Sequence, residues 1–113
     1  MNRRGVPAES LAAAFLERAG LRIVERNYRC RFGEIDLVAR SGPVLVFVEV
    51  RARGSDDFGG AAGSITAAKR KRLVAAARHY LASHRVERAC RFDVVLVRGR
   101  EPSVEWLADA FSE

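Results

Sequence analysis

The stretch Val44 to Arg51, VLVFVEVR, constrains the fold more than any other part of the chain. Its leading residues form an unbroken apolar run rich in β-branched side chains. Such a run between turn residues marks a strand buried on both faces, hence central in a sheet. It ends in Glu49 and Arg51, whose charges are rarely buried without partners. The chain must therefore bring other polar groups to that end of the sheet.

The flanking segments predict the rest of the architecture. Pro7 sets a helix start, Glu9 lies in the first turn, and Leu11, Phe15 and Ala19 recur at helical spacing before Gly20. Leu21 to Arg29 roughly alternates and reads as a strand, as does Glu34 to Arg40. Ser41, Gly42 and Pro43 are turn residues, so the second and third strands form an antiparallel hairpin. Gly54 to Gly63 is glycine-rich and reads as a loop. A helix follows over about residues 64–84, then a buried strand from Cys90 to Val97. The tail SVEWLADAF is a short strand or a helix covering an edge. The order α-β-β-β-α-β plus a short C-terminal element predicts an α/β fold with a central mixed β-sheet flanked by helices. At 113 residues and 49% hydrophobic content, one core and one domain over 1–113 are expected.

The hairpin carries the most specific chemistry. If Ser41 pairs with Val44 across a two-residue turn, Asp36 faces Glu49 and Glu34 faces Arg51; a three-residue turn without a bulge would put Asp36 and Glu49 on opposite faces. In the first register two carboxylates stand on strands about 4.8 Å apart. They repel unless a cation lies between them. Mg²⁺ or Mn²⁺ would serve, since such ions take oxygen ligands and keep several waters. Exposure to solvent, or pairing with arginines, would serve as well.

Charge narrows the partners. Lys and Arg number 20 against 14 Asp and Glu, a net charge of +6, which points to a polyanion such as nucleic acid or else to a solubilising surface. Glu9 and Glu17 interrupt the N-terminal apolar pattern, so it does not read as a signal peptide. No apolar run reaches the roughly 20 residues that span a bilayer. Cys30 and Cys90 lack metal-ligand spacing and read as reduced thiols, and a cytoplasmic location without membrane association is expected.

The segments GEID (Gly33 to Asp36) and FVEVR (Phe47 to Arg51), with AE in the first helix, NYR, GEIDLVA, VFVEVRAR, FGGAAGSI, Lys69 and RFDVVLV, resemble the YraN-type family of uncharacterised bacterial proteins. That family is similar to archaeal Holliday junction resolvases of the PD-(D/E)xK nuclease superfamily. The resemblance implies a restriction-endonuclease-like fold. It also implies a metal-binding pair, Asp36 and Glu49, with the Val50 carbonyl as a third oxygen. Glu9 matches the acidic residue of the first helix, and Glu34 belongs to the motif as a further carboxylate.

Arg51 stands where the superfamily usually has lysine. Arginine can stabilise phosphate charge and grip it bidentately, but it cannot act as a base. Lys69 lies in line with Leu73, Ala76 and Tyr80 at helical spacing and should point toward the sheet, either snorkelling past the core edge or reaching the catalytic end. The expected activity is Mg²⁺- or Mn²⁺-dependent hydrolysis of a DNA phosphodiester. Arg51 or Lys69 would counter the developing charge, and Arg29, Arg31, Arg53, Arg70 and Arg72 would contact the backbone. Branched DNA is a possible substrate by analogy, and junction resolution would want a homodimer. The alternatives are a non-catalytic DNA-binding module with a degenerate site, and a protein-interaction domain.

Overall fold

The computed structural model describes residues 7–53, 65–86, 88–98 and 103–112. The elements run α1 (Ala8–Arg18), β1 (Arg22–Cys30), β2 (Gly33–Ser41), β3 (Val44–Arg53), α2 (Ala67–Ser83), β4 (Cys90–Arg98) and β5 (Ser103–Phe111). The strands form one sheet in the order β1-β2-β3-β4-β5, so the apolar strand β3 is central as expected. Pairing is antiparallel from β1 to β3 and between β4 and β5, and parallel between β3 and β4. A parallel neighbour requires a crossover. Here α2 lies in that connection.

The two helices cover opposite faces. Ala12, Ala13 and Leu16 of α1 pack with Leu37, Ala39, Val46, Val48 and Val95. Leu73, Ala76, Ala77 and Tyr80 of α2 pack with Ile35, Val38, Leu45, Phe47 and Phe92. Phe47 meets Tyr80 edge-on at 5.7 Å between ring centroids. Burial of each large apolar side chain contributes about 1.5–3 kcal/mol.

The face of α1 departs from expectation. Leu11 and Phe15 are only partly buried and Ala19 is exposed as the C-cap. The small Ala12 and Ala13 lie against the sheet instead, which lets the helix approach closely while the larger side chains flank the contact. The undecided tail is a strand, β5, pairing with β4. The expected loop from Gly54 to Gly63 and the side chain of Arg53 lie outside the described residues.

The hairpin register is the two-residue-turn form. Ser41 pairs with Val44, Gly42 turns at φ 60°, and pairing continues to Leu37 opposite Val48. It stops there, so the expected direct partners Asp36–Glu49 and Glu34–Arg51 do not extend the ladder. Leu37 enters the core under α1, whereas Ile35 enters the core under α2. The alternation of β2 is therefore broken at Asp36.

Both outer strands are irregular. β1 shifts register between Ile23 and Glu25, and its Asn27 has φ 54°. β5 shifts opposite Phe92 and Val94, where Asp109 has φ 55°. Asp93 holds this second bulge. Its fully buried carboxylate accepts hydrogen bonds from the Trp106 Nε1–H at 2.8 Å, the Asp109 N–H at 2.8 Å and the Arg91 Nε–H at 3.1 Å. A buried carboxylate is tolerable when so fully paired.

Candidate functional site

The break in β2 creates the site. Where the β2–β3 ladder ends, Asp36 Oδ2 accepts the Val50 N–H at 2.8 Å, so a side chain replaces a backbone acceptor. The N–H and C=O of one strand residue point to the same edge. The Val50 carbonyl therefore also faces the gap beside Asp36. Glu49, the last buried residue of β3 at 9% exposure, projects on the α2 side.

Two cations flank Glu49. Lys69 Nζ lies 3.5 Å and Arg51 Nη1 3.6 Å from the same oxygen, Oε2. Both distances exceed a well-formed charge-assisted hydrogen bond. Glu49 thus keeps lone pairs for a ligand. Lys69 stands in the first turn of α2, where Thr66 caps the helix by accepting the Lys69 N–H at 3.1 Å. The Arg51 Nε–H is buried without a partner.

Glu9 comes from α1 and is held by β1: the Asn27 amide donates to Glu9 Oε1 at 3.0 Å. The left-handed backbone at Asn27 is one that asparagine adopts more readily than most residues. Glu34 pairs with Arg29 at 3.5 Å, not with Arg51. Glu34, Asp36, Glu49, Lys69, Arg72 and Leu73 line a cleft of about 220 Å³ between β2, β3 and α2.

Burial, opposed by the Val50 N–H and aided by the nearby charges of Glu49, Glu34 and Glu9, raises the Asp36 pKa from 3.8 to about 7. A cation in the cleft would relieve all of these penalties at once. Among the described residues, no three histidine, cysteine or acidic side chains converge closely enough to hold one ion. The oxygens that could hold one would instead be two carboxylates, of Asp36 and Glu49, and the Val50 carbonyl. That set suits an oxygen-preferring ion that keeps much of its water shell, as Mg²⁺ and Mn²⁺ do.

The basic residues singled out in the sequence are scattered around this cleft. Arg72 lines it, Arg29 is held by Glu34, and the Arg31 guanidinium lies over the Phe32 ring at 4.9 Å. The Arg70 guanidinium sits over the Phe111 ring of β5 at 5.7 Å and does not line the cleft. Sequence reasoning passed over Asn27 and Thr66, which orient Glu9 and Lys69. Thr66 was detectable as a capping residue at the helix start, and Asn27 as an asparagine inside a strand pattern.

The fold and the cleft together define an α/β protein of restriction-endonuclease-like architecture, with an acidic pair at the break of its central hairpin. The chain belongs to the uncharacterised protein family UPF0102, whose model matches residues 8–97. It is 59% identical over 111 residues to a UPF0102 protein of Nitrosomonas europaea, covering 97% of this chain and 94% of the relative. A UPF0102 protein of Dechloromonas aromatica is 58% identical over 109 residues, covering 96% and 88% of the two chains. One from Aeromonas hydrophila is 49% identical over 111 residues, covering 96% and 84%. Among the described residues no helix is long and apolar enough to cross a membrane.

Proposed function

We propose that the cleft hydrolyses nucleic-acid phosphodiesters, DNA above all, with Mg²⁺ or Mn²⁺ held by Asp36, Glu49 and the Val50 carbonyl. The observation that carries this reading is the placement of Lys69 and Arg51 on one oxygen of Glu49, beside a second carboxylate, Asp36, whose pKa burial raises. Such an ion, when bound, polarises a phosphoryl oxygen and acidifies a water. The ammonium of Lys69 is placed to hold a phosphate oxygen or a water at the cleft, and to counter charge that develops on the phosphate. Arg51 adds a fixed positive charge from the strand. Arg72 offers a contact to the neighbouring backbone, and Glu9, steadied by Asn27, is a further acceptor at the edge of the site.

On the strand, Arg51 stands where the superfamily usually has lysine. A lysine reaches the same carboxylate from α2, so the loss on the strand does not by itself imply a dead site. The net charge of +6 supports a polyanionic substrate. The test is cleavage of single-stranded, duplex and branched DNA with Mg²⁺ or Mn²⁺ against chelator, for the native chain and Asp36→Ala. Metal-dependent cleavage that disappears in Asp36→Ala supports an enzyme. Binding without cleavage in every condition supports the non-catalytic module, and no binding at low salt supports an interaction domain.

A further inference from the structure

Phe32 is the exposed aromatic side chain among the described residues, at 41% exposure. It occupies the tip of the β1–β2 hairpin, where Cys30 pairs with Gly33 and leaves Arg31 and Phe32 as the turn. Turn tips ordinarily carry glycine, asparagine, aspartate or serine, and a phenyl ring there leaves apolar surface in water.

The ring is held in a defined environment. The Arg31 guanidinium lies over it at 4.9 Å, and the His79 ring of α2 meets it at 61° with centroids 6.0 Å apart. His79 is fixed in turn by Tyr28, whose hydroxyl contacts His79 Nδ1 at 2.5 Å. The hairpin tip rests on α2 at Gly33, which lies against Arg72: a Cβ at Gly33 would sit 3.4 Å from the Arg72 Cβ, an ordinary contact distance. Arg72 in turn lines the acidic cleft with Glu34 and Asp36. The tip and the cleft thus share one wall. Phe32 is four residues from Asp36, about 13 Å along the strand at roughly 3.3 Å per residue. This is the span of only a few nucleotides.

We propose that Phe32, flanked by Arg31, is a stacking platform for an unpaired nucleobase of a single-stranded segment whose backbone passes Arg72 into the Asp36–Glu49 cleft. The inference rests on the phosphodiester reading of that cleft and adds the substrate class: nucleic acid with unpaired bases beside the phosphate to be cut. Aromatic faces accept any base, and neighbouring arginines strengthen the contact and attract the backbone. A base inside an intact duplex cannot reach the ring without unstacking.

Fluorescence anisotropy in chelator, at about 50 mM salt, tests this with labelled single strands of DNA and of RNA and a blunt DNA duplex. Phe32→Ala is expected to weaken single-strand binding by about tenfold and leave duplex binding unchanged. Phe32→Trp is expected to retain affinity and to show indole fluorescence quenched by the single strand. A selective loss in either the DNA or the RNA arm supports the platform and names its source. Unchanged single-strand affinity in Phe32→Ala, an equal loss on duplex, or no single-strand binding by the native chain overturns it. If the native chain cuts nothing with Mg²⁺ or Mn²⁺ while the selective binding loss persists, the cleavage reading fails and the platform stands.

Discussion

Lys69 and Glu49 meet across the cleft, Nζ to Oε2 at 3.5 Å, and join the first turn of α2 to the end of the central strand. Arg51 approaches the same oxygen at 3.6 Å from its own strand, two residues along. The two cations differ in reach. Lys69 is part-exposed and stands at the cleft, whereas the Arg51 side chain is the more buried.

The charge that counts for turnover is therefore expected to be that of Lys69. Lys69→Met should lower the single-turnover cleavage rate by about 10²–10³-fold. Folding stability should change by less than about 1 kcal/mol, because the pair is partly solvated. Arg51→Lys should keep activity within about tenfold of the native chain. Equal rates for native chain and Lys69→Met would remove lysine from the mechanism.

Asp36 sets a pH dependence of stability with a definite sign. Its pKa of about 7 in the folded chain lies above the ordinary 3.8. Between these values the folded state holds a proton that the unfolded state has released, so the contribution of Asp36 to stability falls as pH rises through that window. Asp36→Asn retains an oxygen for the Val50 N–H and carries no charge. It should match the native chain near pH 3.5 and exceed it by about 1–2 kcal/mol at pH 8, solvent screening reducing the full effect. Thermal melts across this range check it. Mg²⁺ should raise the Tm of the native chain at pH 8 and leave Asp36→Asn unmoved.

Asn27 has two separable roles, a left-handed backbone and an amide on Glu9. Asn27→Gly keeps the first and loses the second; Asn27→Ala loses both. Urea unfolding should show Asn27→Ala less stable than Asn27→Gly by about 1–2 kcal/mol. Both should lose cleavage to a similar degree if Glu9 must be held. A Gly variant with native activity would assign Asn27 to the backbone alone.

Asp93 anchors the far side of the sheet. Asp93→Ala leaves the Trp106 and Asp109 N–H groups and the Arg91 guanidinium without their acceptor. A loss of about 3–5 kcal/mol is expected in urea unfolding, since a buried charge loses its partner. A change below about 1 kcal/mol would show that the network relaxes to water.

The sequence was most informative where one period held throughout. The apolar run of β3 named the central strand, and Gly42 and Pro43 marked the hairpin turn while leaving two registers open. It was least informative where local irregularity changes the phase. In β5, Val104 and Trp106 alternate, but Leu107, Ala110 and Phe111 follow a helical spacing. The bulge at Asp109, tied to Asp93 across the sheet, reconciles the two. In α1 the larger residues Leu11 and Phe15 drew the predicted face away from the alanines that pack closest. Asp36 and Glu49 were visible as a pair, but not that the ladder ends before them, because that break depends on Ile35 and Leu37 turning to opposite cores. Helical spacing with Leu73, Ala76 and Tyr80 already aimed Lys69 at the sheet, and its meeting with Glu49 follows that aim; the Thr66 cap, which fixes where the helix begins, was the part left unread.

The bulges at the two outer strands have a consequence for assembly. A flat edge with free N–H and C=O groups invites a second chain to continue the sheet. Here β1 is interrupted at Ile23–Glu25 and twisted at Asn27, while β5 is interrupted at Asp109. Neither rim offers an uninterrupted template for strand addition. Such bulges work against edge-to-edge pairing of copies of this chain.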